Sequence, residues 1–282
     1  MLAMDQKWKD WLDLNISRGS EVKDLYRIMR TNGFDPLSIQ RMMGDRYPTG
    51  IEAQPISHAA NVDYQNLANL MEVRGIALGA QRLNTELIQL YAIDNFLTAY
   101  ECEKILQLTA HNLSPSLVSH DNGDNAFRTS MTCRLHCHDD PFVGYIDEKI
   151  ARTLGVCLSY SEPIQAQHYA EGKEFKAHHD YFTPDAPVHS EYTQEQGQRT
   201  WTFMIYLNTT LRGGSTYFPY LDYAFHPKQG QAVIWNNLYA DGLPNRYTLH
   251  HGMPVEEGYK TIITKWFRDQ GEGNMFCEQM TQ

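Results

Sequence analysis

No stretch of this chain approaches the run of about eighteen apolar residues that a membrane-crossing helix requires, which argues against a transmembrane segment. Basic charge is also scarce: 24 Lys and Arg stand against 34 Asp and Glu, a formal net charge of −10. A chain so acidic lacks the basic face on which non-specific nucleic-acid binding depends. Cysteine is sparse, odd in number and scattered, at 102, 133, 137, 157 and 277. The opening residues, Met1-Leu2-Ala3-Met4-Asp5-Gln6-Lys7, carry neither the basic nor the apolar stretch of a secretory signal. Free thiols and a cytoplasmic location are therefore expected. Cys133, His136, Cys137 and His138 crowd together, but Cys-x3-Cys without a second matching pair is a poor zinc pattern. They read as structural cysteines and surface histidines.

What the chain does have is enough apolar material, 42 % of 282 residues, for one large core with a small appendage. Residues 1–46 read as three short helices. Val22, Leu25, Tyr26 and Met29 fall at helical spacing, with Ser20 as a cap and Asn32-Gly33 as a stop. Trp8, Trp11 and Leu12 mark an earlier helix, and Pro36 to Met43 a later one. Residues 47–86 read as a linker with a partly helical segment, on the evidence of Pro48, Gly50 and Pro55. From Leu87 a strand (Ile88 to Ile93) and two helices (Ala99 to Ala110, Tyr145 to Leu154) precede short strand candidates. Those candidates are Gln165–Tyr169, Trp201–Leu207, Ser215–Phe218, Gln231–Trp235, Thr248–Gly252 and Thr261–Arg268, with Gly, Pro and Asn turns between them. That pattern suggests an α+β chain with a jelly-roll sandwich or barrel over 87–270. A polar stretch over 183–200 has the length of a functional loop, and residues from Asp269 onward, the 271–282 tail included, read as poorly ordered.

The chemistry concentrates at Phe175-Lys176-Ala177-His178-His179-Asp180-Tyr181-Phe182. Residues two apart on an extended strand share a face, so His178 and Asp180 can turn inward together while His179 faces away. A third ligand can come from His250 or His251 further along. Two imidazoles and a carboxylate leave half an octahedron open, a set suited to non-haem Fe(II) and oxygen chemistry. Lys260 and Lys265 follow on one strand and, five apart, face opposite sides. A lysine beside such an iron can fix a dicarboxylate by a charge-assisted hydrogen bond. Trp266 shares the face of Lys260 and can wall the same pocket.

Several ordered stretches make the chain resemble the Fe(II)- and 2-oxoglutarate-dependent dioxygenases, in their prolyl 4-hydroxylase branch. They are Asp94-Asn95-Phe96-Leu97, Ser114-Pro115-Ser116, Arg128-Thr129-Ser130, Gln165 to Tyr169, His178 to Phe182 and Gly213 to Pro219. Trp235 to Leu238, Thr248-Leu249-His250 and Lys260 to Trp266 complete the series. The resemblance spans residues 90–268 and implies a double-stranded β-helix with helices packed on one side. It selects His178, Asp180 and His250 as metal ligands and Lys260 for the distal carboxylate of 2-oxoglutarate. It gives Tyr169 and Thr202 hydroxyl contacts to that co-substrate, leaves Lys265 as a solvated cation outside, and implies ascorbate as reductant. The implied reaction is hydroxylation of a proline, in a peptide or protein, coupled to decarboxylation of 2-oxoglutarate, with O2 as co-substrate. A free amino acid or small metabolite is the alternative substrate. A silent jelly-roll binding module is the rival of another class, opposed by the intact ligand set. Residues 1–46 offer no ligand and are expected to be dispensable for the chemistry.

Overall fold

A computed structural model describes residues 3–48, 50, 62–110, 112–116, 127–183 and 193–277. Most of the polar loop expected over 183–200, residues 184–192, lies outside them. Its helices are α1 (Ala3–Ser17), α2 (Val22–Thr31), α3 (Pro36–Met43), α4 (Tyr64–Arg74), α5 (Ala99–Thr109) and α6 (Pro141–Leu154). No helix among the described residues is long and apolar enough to cross a membrane. The strands before the long polar loop are β1 (Gln81–Arg82), β2 (Leu90–Ile93), β3 (Ser114–Pro115), β4 (Met131–Leu135), β5 (Ile164–Tyr169) and β6 (Phe175–His178). After it come β7 (Arg199–Tyr206), β8 (Arg212–Gly213), β9 (Thr216–Phe218) and β10 (Tyr223–Phe225). The chain closes with β11 (Ala232–Asn236), β12 (His250–Gly252), β13 (Val255–Glu257) and β14 (Lys260–Arg268).

Eight strands form the large sheet, in the order β1-β2-β11-β7-β14-β5-β4-β3, and β10-β9-β12-β6 form a smaller one. Apolar residues of both sheets, Tyr169, Met204, Phe218, Trp235 and Ile262 among them, pack into a shared cluster between them. This is the expected double-stranded β-helix. Its large sheet is backed by α4, α5 and α6, whose Leu67, Met71, Ile105, Ile146 and Ile150 join Trp201, Phe203 and Ile263 in a second core. The catalytic body therefore takes in a helix well before Leu87. Trp201 Nε1 donates to the Leu67 carbonyl at 3.1 Å, and the Tyr64 hydroxyl to Asp269 Oδ2 at 2.7 Å.

The first three helices close on Leu12, Leu25, Met29, Phe34, Ile39 and Met43, the stripes legible in the sequence. Helix α2 starts after Glu21, which makes no side-chain cap, so packing rather than the expected Ser20 holds that end. Asp35 caps α3 by accepting from Ser38 N at 2.9 Å. The bundle is stitched to the segment leading into β12. The Arg246 guanidinium lies 3.6 Å from the Phe34 ring centroid and 3.0 Å from Asp5. The Tyr239 hydroxyl donates to the Gly33 carbonyl at 3.0 Å, and Arg30 pairs with Asp241. Gly33 has φ +83°, and a Cβ there would stand 2.8 Å from Arg246 N, so only glycine serves the turn and the contact together.

Two expectations fail. Lys265 is not a solvated cation: it is 2 % exposed and its Nζ lies 2.6 Å from Asp147 Oδ1 on α6. All nine residues of β14 are buried, because the strand is central and both faces of its sheet are covered. Burial pulls Lys265 below the usual lysine range and pushes Asp147 above the usual carboxylate range, while their attraction opposes both shifts. The stretch after Asp269 is also ordered as far as Cys277. Met275 anchors it in the core, Cys157 N donates to the Met275 carbonyl at 2.8 Å, and Cys277 N to that of Gly155 at 3.1 Å.

Removing one partner of a buried ion pair leaves an uncompensated charge at a cost of about 3–5 kcal/mol. Asp147→Ala should lower unfolding free energy by that order in denaturant titration, and Asp147→Leu with Lys265→Met should recover most of it. A loss of well under 1 kcal/mol in the single variant would contradict the buried pairing.

Candidate metal centre and co-substrate pocket

Antiparallel partners share a face of their sheet. Strand β12 pairs with β6 so that His250 stands directly opposite His178, bringing their ring centroids to 4.2 Å. Asp180, just past the end of β6, turns back so that its Oδ1 lies 3.8 Å from His178 Nε2 and 3.9 Å from His250 Nε2. The donor atoms of the three all lie within 4.8 Å of one another, and no other such group occurs among the described residues. Each imidazole Nδ1 meets a backbone carbonyl, His178 that of Lys176 at 2.7 Å and His250 that of Thr248 at 2.9 Å. A carbonyl only accepts, so Nδ1 carries the proton and each Nε2 presents its lone pair toward Asp180. Burial, and then the neighbouring His250, holds the His178 ring neutral, well below the usual histidine range. Two imidazoles whose Nε2 atoms face one carboxylate suit a divalent iron.

The neighbouring histidines are turned elsewhere. His179 Nε2 donates to the Arg246 carbonyl at 3.0 Å. His251 pairs with Glu174 at 2.8 Å and stands in register with Tyr217.

The pocket between the sheets is lined by His178, Asp180 and His250 at one end and by Lys260, Tyr169, Gln167, Thr264 and Trp266 around the rest. Lys260 is 1 % exposed. Its Nζ donates to the Gly214 carbonyl at 2.9 Å and lies 4.4 Å from the Tyr169 ring centroid. Burial alone lowers it to about 7. Tyr169 presents its ring to this ammonium, while its hydroxyl donates to Gln167 Oε1 at 2.7 Å, and Gln167 Nε2 to Thr264 at 3.2 Å. Thr202 is turned differently from the expected co-substrate contact: its hydroxyl donates to Asp180 Oδ2 at 2.7 Å. Trp266 reaches the pocket from the face of Lys260, and its buried Nε1 finds no acceptor among the described residues.

Sequence reasoning missed the residues that hold these walls. Arg199 stacks 3.9 Å from the Trp266 ring centroid and grips Glu162 at 2.6 and 2.8 Å. Arg128 donates to Gln165 at 2.8 Å and lies 4.8 Å from the Phe175 ring centroid. Gln167 and Thr264 were within reach, since alternation from Tyr169 and from Lys260 assigns both to the inner face. Arg199 precedes the strand expected from Trp201, and Arg128 stood only in the Arg128-Thr129-Ser130 stretch of the resemblance, so spacing gave neither of them a role.

Fold and site together define an iron- and 2-oxoglutarate-dependent oxygenase. Residues 164–268 match the family model of the 2OG-Fe(II) oxygenase superfamily. Prolyl 4-hydroxylase 13 of Arabidopsis thaliana is 31 % identical over 202 residues, covering 64 % of this chain and 72 % of that protein. Prolyl 4-hydroxylase 2 of the same plant is 30 % identical over 201 residues, covering 62 % and 66 %. In fold, the chain is similar to the viral collagen prolyl hydroxylase of Paramecium Bursaria Chlorella virus-1, solved as a 2OG complex. The TM-score is 0.51 and the identity 23 %, over 64 % of this chain and 96 % of that one. The chain belongs to the prolyl 4-hydroxylase family of the 2OG-Fe(II) oxygenases. It is an enzyme of that class, dependent on Fe(II) and 2-oxoglutarate.

Loss of any one of three ligands should cripple a metal site, whereas the outward histidines should be expendable. His178→Ala, Asp180→Ala and His250→Ala should each lose tight Co(II) binding and all turnover, and His251→Ala should keep both. The register of β12 would be refuted by an inactive His251→Ala beside an active His250→Ala.

Proposed function

We propose that the chain hydroxylates proline residues within a peptide or protein, with His178, Asp180 and His250 holding Fe(II) and Lys260 binding the distal carboxylate of 2-oxoglutarate. One observation carries the reading: a fully buried lysine, whose hydrogen-bond partner among the described residues is a carbonyl, lines the same pocket as the three converging donors. An ammonium so placed is short of an anion, and a dicarboxylate reaching from the metal end supplies it. Tyr169 closes the pocket beside the ammonium with its ring. Trp266, held by Arg199, offers an indole N–H that lacks an acceptor among the described residues, a role open to a peptide carbonyl. Relatives named prolyl 4-hydroxylases support proline as the substrate.

Bound iron would supply the activation of dioxygen. One oxygen atom enters the proline C–H bond as hydroxyl, the other enters succinate, and 2-oxoglutarate loses carbon dioxide. The protein binds and orients: the Nδ1 hydrogen bonds of the two histidines fix which ring nitrogen faces Asp180, Asp180 Oδ1 lies 3.8 and 3.9 Å from the two Nε2 atoms, and the two sheets enclose the pocket. Ascorbate serves as the reductant that returns the iron to its ferrous state. A cytoplasmic setting accords with five free cysteines.

The deciding assay supplies Fe(II), ascorbate and 2-oxoglutarate and follows succinate together with a one-oxygen mass gain. Proline-containing peptides should gain oxygen and free proline or other amino acids should not; the reverse would establish a small-molecule hydroxylase. A hydrogen bond to a charged group contributes about 1.5–3 kcal/mol, or a roughly ten- to hundredfold change in affinity. Lys260→Ala should therefore raise KM for 2-oxoglutarate at least tenfold while Co(II) binding persists. An unchanged KM would remove Lys260 from the co-substrate site.

The same lysine sets a pH dependence. In the free enzyme it loses its proton at about 7, and a bound carboxylate raises that value by favouring the charged form. Affinity for 2-oxoglutarate should be level below pH 7 and fall as pH rises above it, approaching tenfold per unit. The check is KM for 2-oxoglutarate between pH 6 and 9 in wild type and Lys260→Arg; the arginine variant should be level throughout. A level profile in wild type would contradict a neutral lysine in the free pocket.

A further inference from the structure

A continuous hydrogen-bonded chain runs through the core to Asp180. Trp235 Nε1 donates to Asn237 Oδ1 at 3.0 Å, Asn237 Nδ2 donates to Thr202 Oγ1 at 2.8 Å, and Thr202 Oγ1 donates to Asp180 Oδ2 at 2.7 Å. Trp235 is 1 % exposed, Asn237 and Thr202 are 0 %, and Asp180 is 6 %. Its direction is forced at both ends. An indole N–H can only donate, and an ionised carboxylate can only accept. The Asn237 amide must then present its oxygen to Trp235 and its NH2 to Thr202, and the threonine proton is left for Asp180.

The far end of the chain is as fixed as the near one. Asn237 N donates to the Thr200 carbonyl at 2.7 Å, and its own carbonyl accepts from Asn245 N at 2.8 Å, tying the end of β11 to β7 and to the segment before β12. Trp235 also packs its ring against His250, with centroids 4.9 Å apart. One indole thus braces the second imidazole directly and the carboxylate through two intermediaries.

We propose that Asn237 is a positioning residue. Through Thr202 it commits Asp180 Oδ2 to a hydrogen bond and so presents Oδ1 alone to the metal. This inference rests on the reading that His178, Asp180 and His250 hold the iron. It is Oδ1, the oxygen left out of the relay, that lies 3.8 and 3.9 Å from the two Nε2 atoms. A carboxylate binding through both oxygens would occupy a fourth position and leave fewer for the co-substrate. Asn237 is absent from the pocket lining and hydrogen-bonds none of the three ligands directly. Its path to Asp180 runs through Thr202.

The test uses the full chain and Co(II), whose visible absorption reports ligand number and geometry without turnover. Thr202→Val removes the hydroxyl at nearly constant shape, Asn237→Leu removes its partner, and Thr202→Ser restores the hydroxyl. Loss of a group that orients a metal ligand typically weakens metal affinity ten- to hundredfold. Thr202→Val and Asn237→Leu should each weaken Co(II) binding by that factor and alter its absorption bands. Thr202→Ser should stay near wild type in both. The double variant should be little worse than the weaker single variant, since both cut one chain. A merely structural role for Asn237 would lower the melting temperature and leave affinity and bands unchanged, which would overturn the proposal. Should Asn237→Leu fail to fold, Thr202→Val against Thr202→Ser decides. Asp180→Ala is the control: unaltered Co(II) binding there would refute the ligand set itself, and with it any role for the relay. Full loss in Asp180→Ala beside unaltered Thr202→Val would refute the relay alone.

Discussion

The pairing of β12 against β6 is the constraint on which the rest of the molecule turns. Side chains alternate along a strand, so a slip of one residue would send His250 outward and bring His251 in. The register is pinned from both sides. His251 is held outward by Glu174 and by its place opposite Tyr217 on β9. Gly252 stands opposite Phe175, with a bulge between the two paired positions that absorbs the fit. Upstream, the Asn245 side chain accepts from Tyr247 N at 3.0 Å and its carbonyl from the Thr248 hydroxyl at 2.8 Å, setting the phase in which the strand begins. A cluster assembled from distant parts of the chain thus depends on very local turn chemistry.

Strand β14 shows the same alternation put to two uses. Lys260 and Lys265 differ in the faces they occupy and in what each meets there. On the outer face the helix layer supplies Asp147, and the pair is closed. On the inner face, among the described residues, a carbonyl and an aromatic ring meet the ammonium. One lysine closes a structural joint with a carboxylate and the other faces the pocket without one among the described residues.

Much of this was legible before any coordinates, because two-residue periodicity is a strong signal in short buried strands. The phase of Lys260 and Trp266 and the shared face of His178 and Asp180 follow from it. The helical stripe of Val22 to Met29 was equally plain. The fate of Lys265 was not, since alternation says which face a residue takes and nothing of what covers it. The same gap hid Met275, whose burial depends on a groove formed far earlier in the chain, and the direction of the Thr202 hydroxyl, which depends on Asn237 one strand away. Contacts across strands are invisible to spacing along one strand.

Arg246 has a consequence for how this chain can be divided. Its guanidinium lies against Phe34, and its carbonyl accepts a hydrogen bond from Nε2 of His179, the residue between two of the converging donors. Arg246 therefore stands at the seam between the helical bundle and the oxygenase barrel, together with the Tyr239–Gly33 hydrogen bond and the Arg30–Asp241 pair. Cutting between them would turn an interior into a surface, stripping a buried cation of its aromatic shelter and of Asp5. A segment that contributes no reacting group thus shelters a buried cation of the barrel through Phe34 and Asp5.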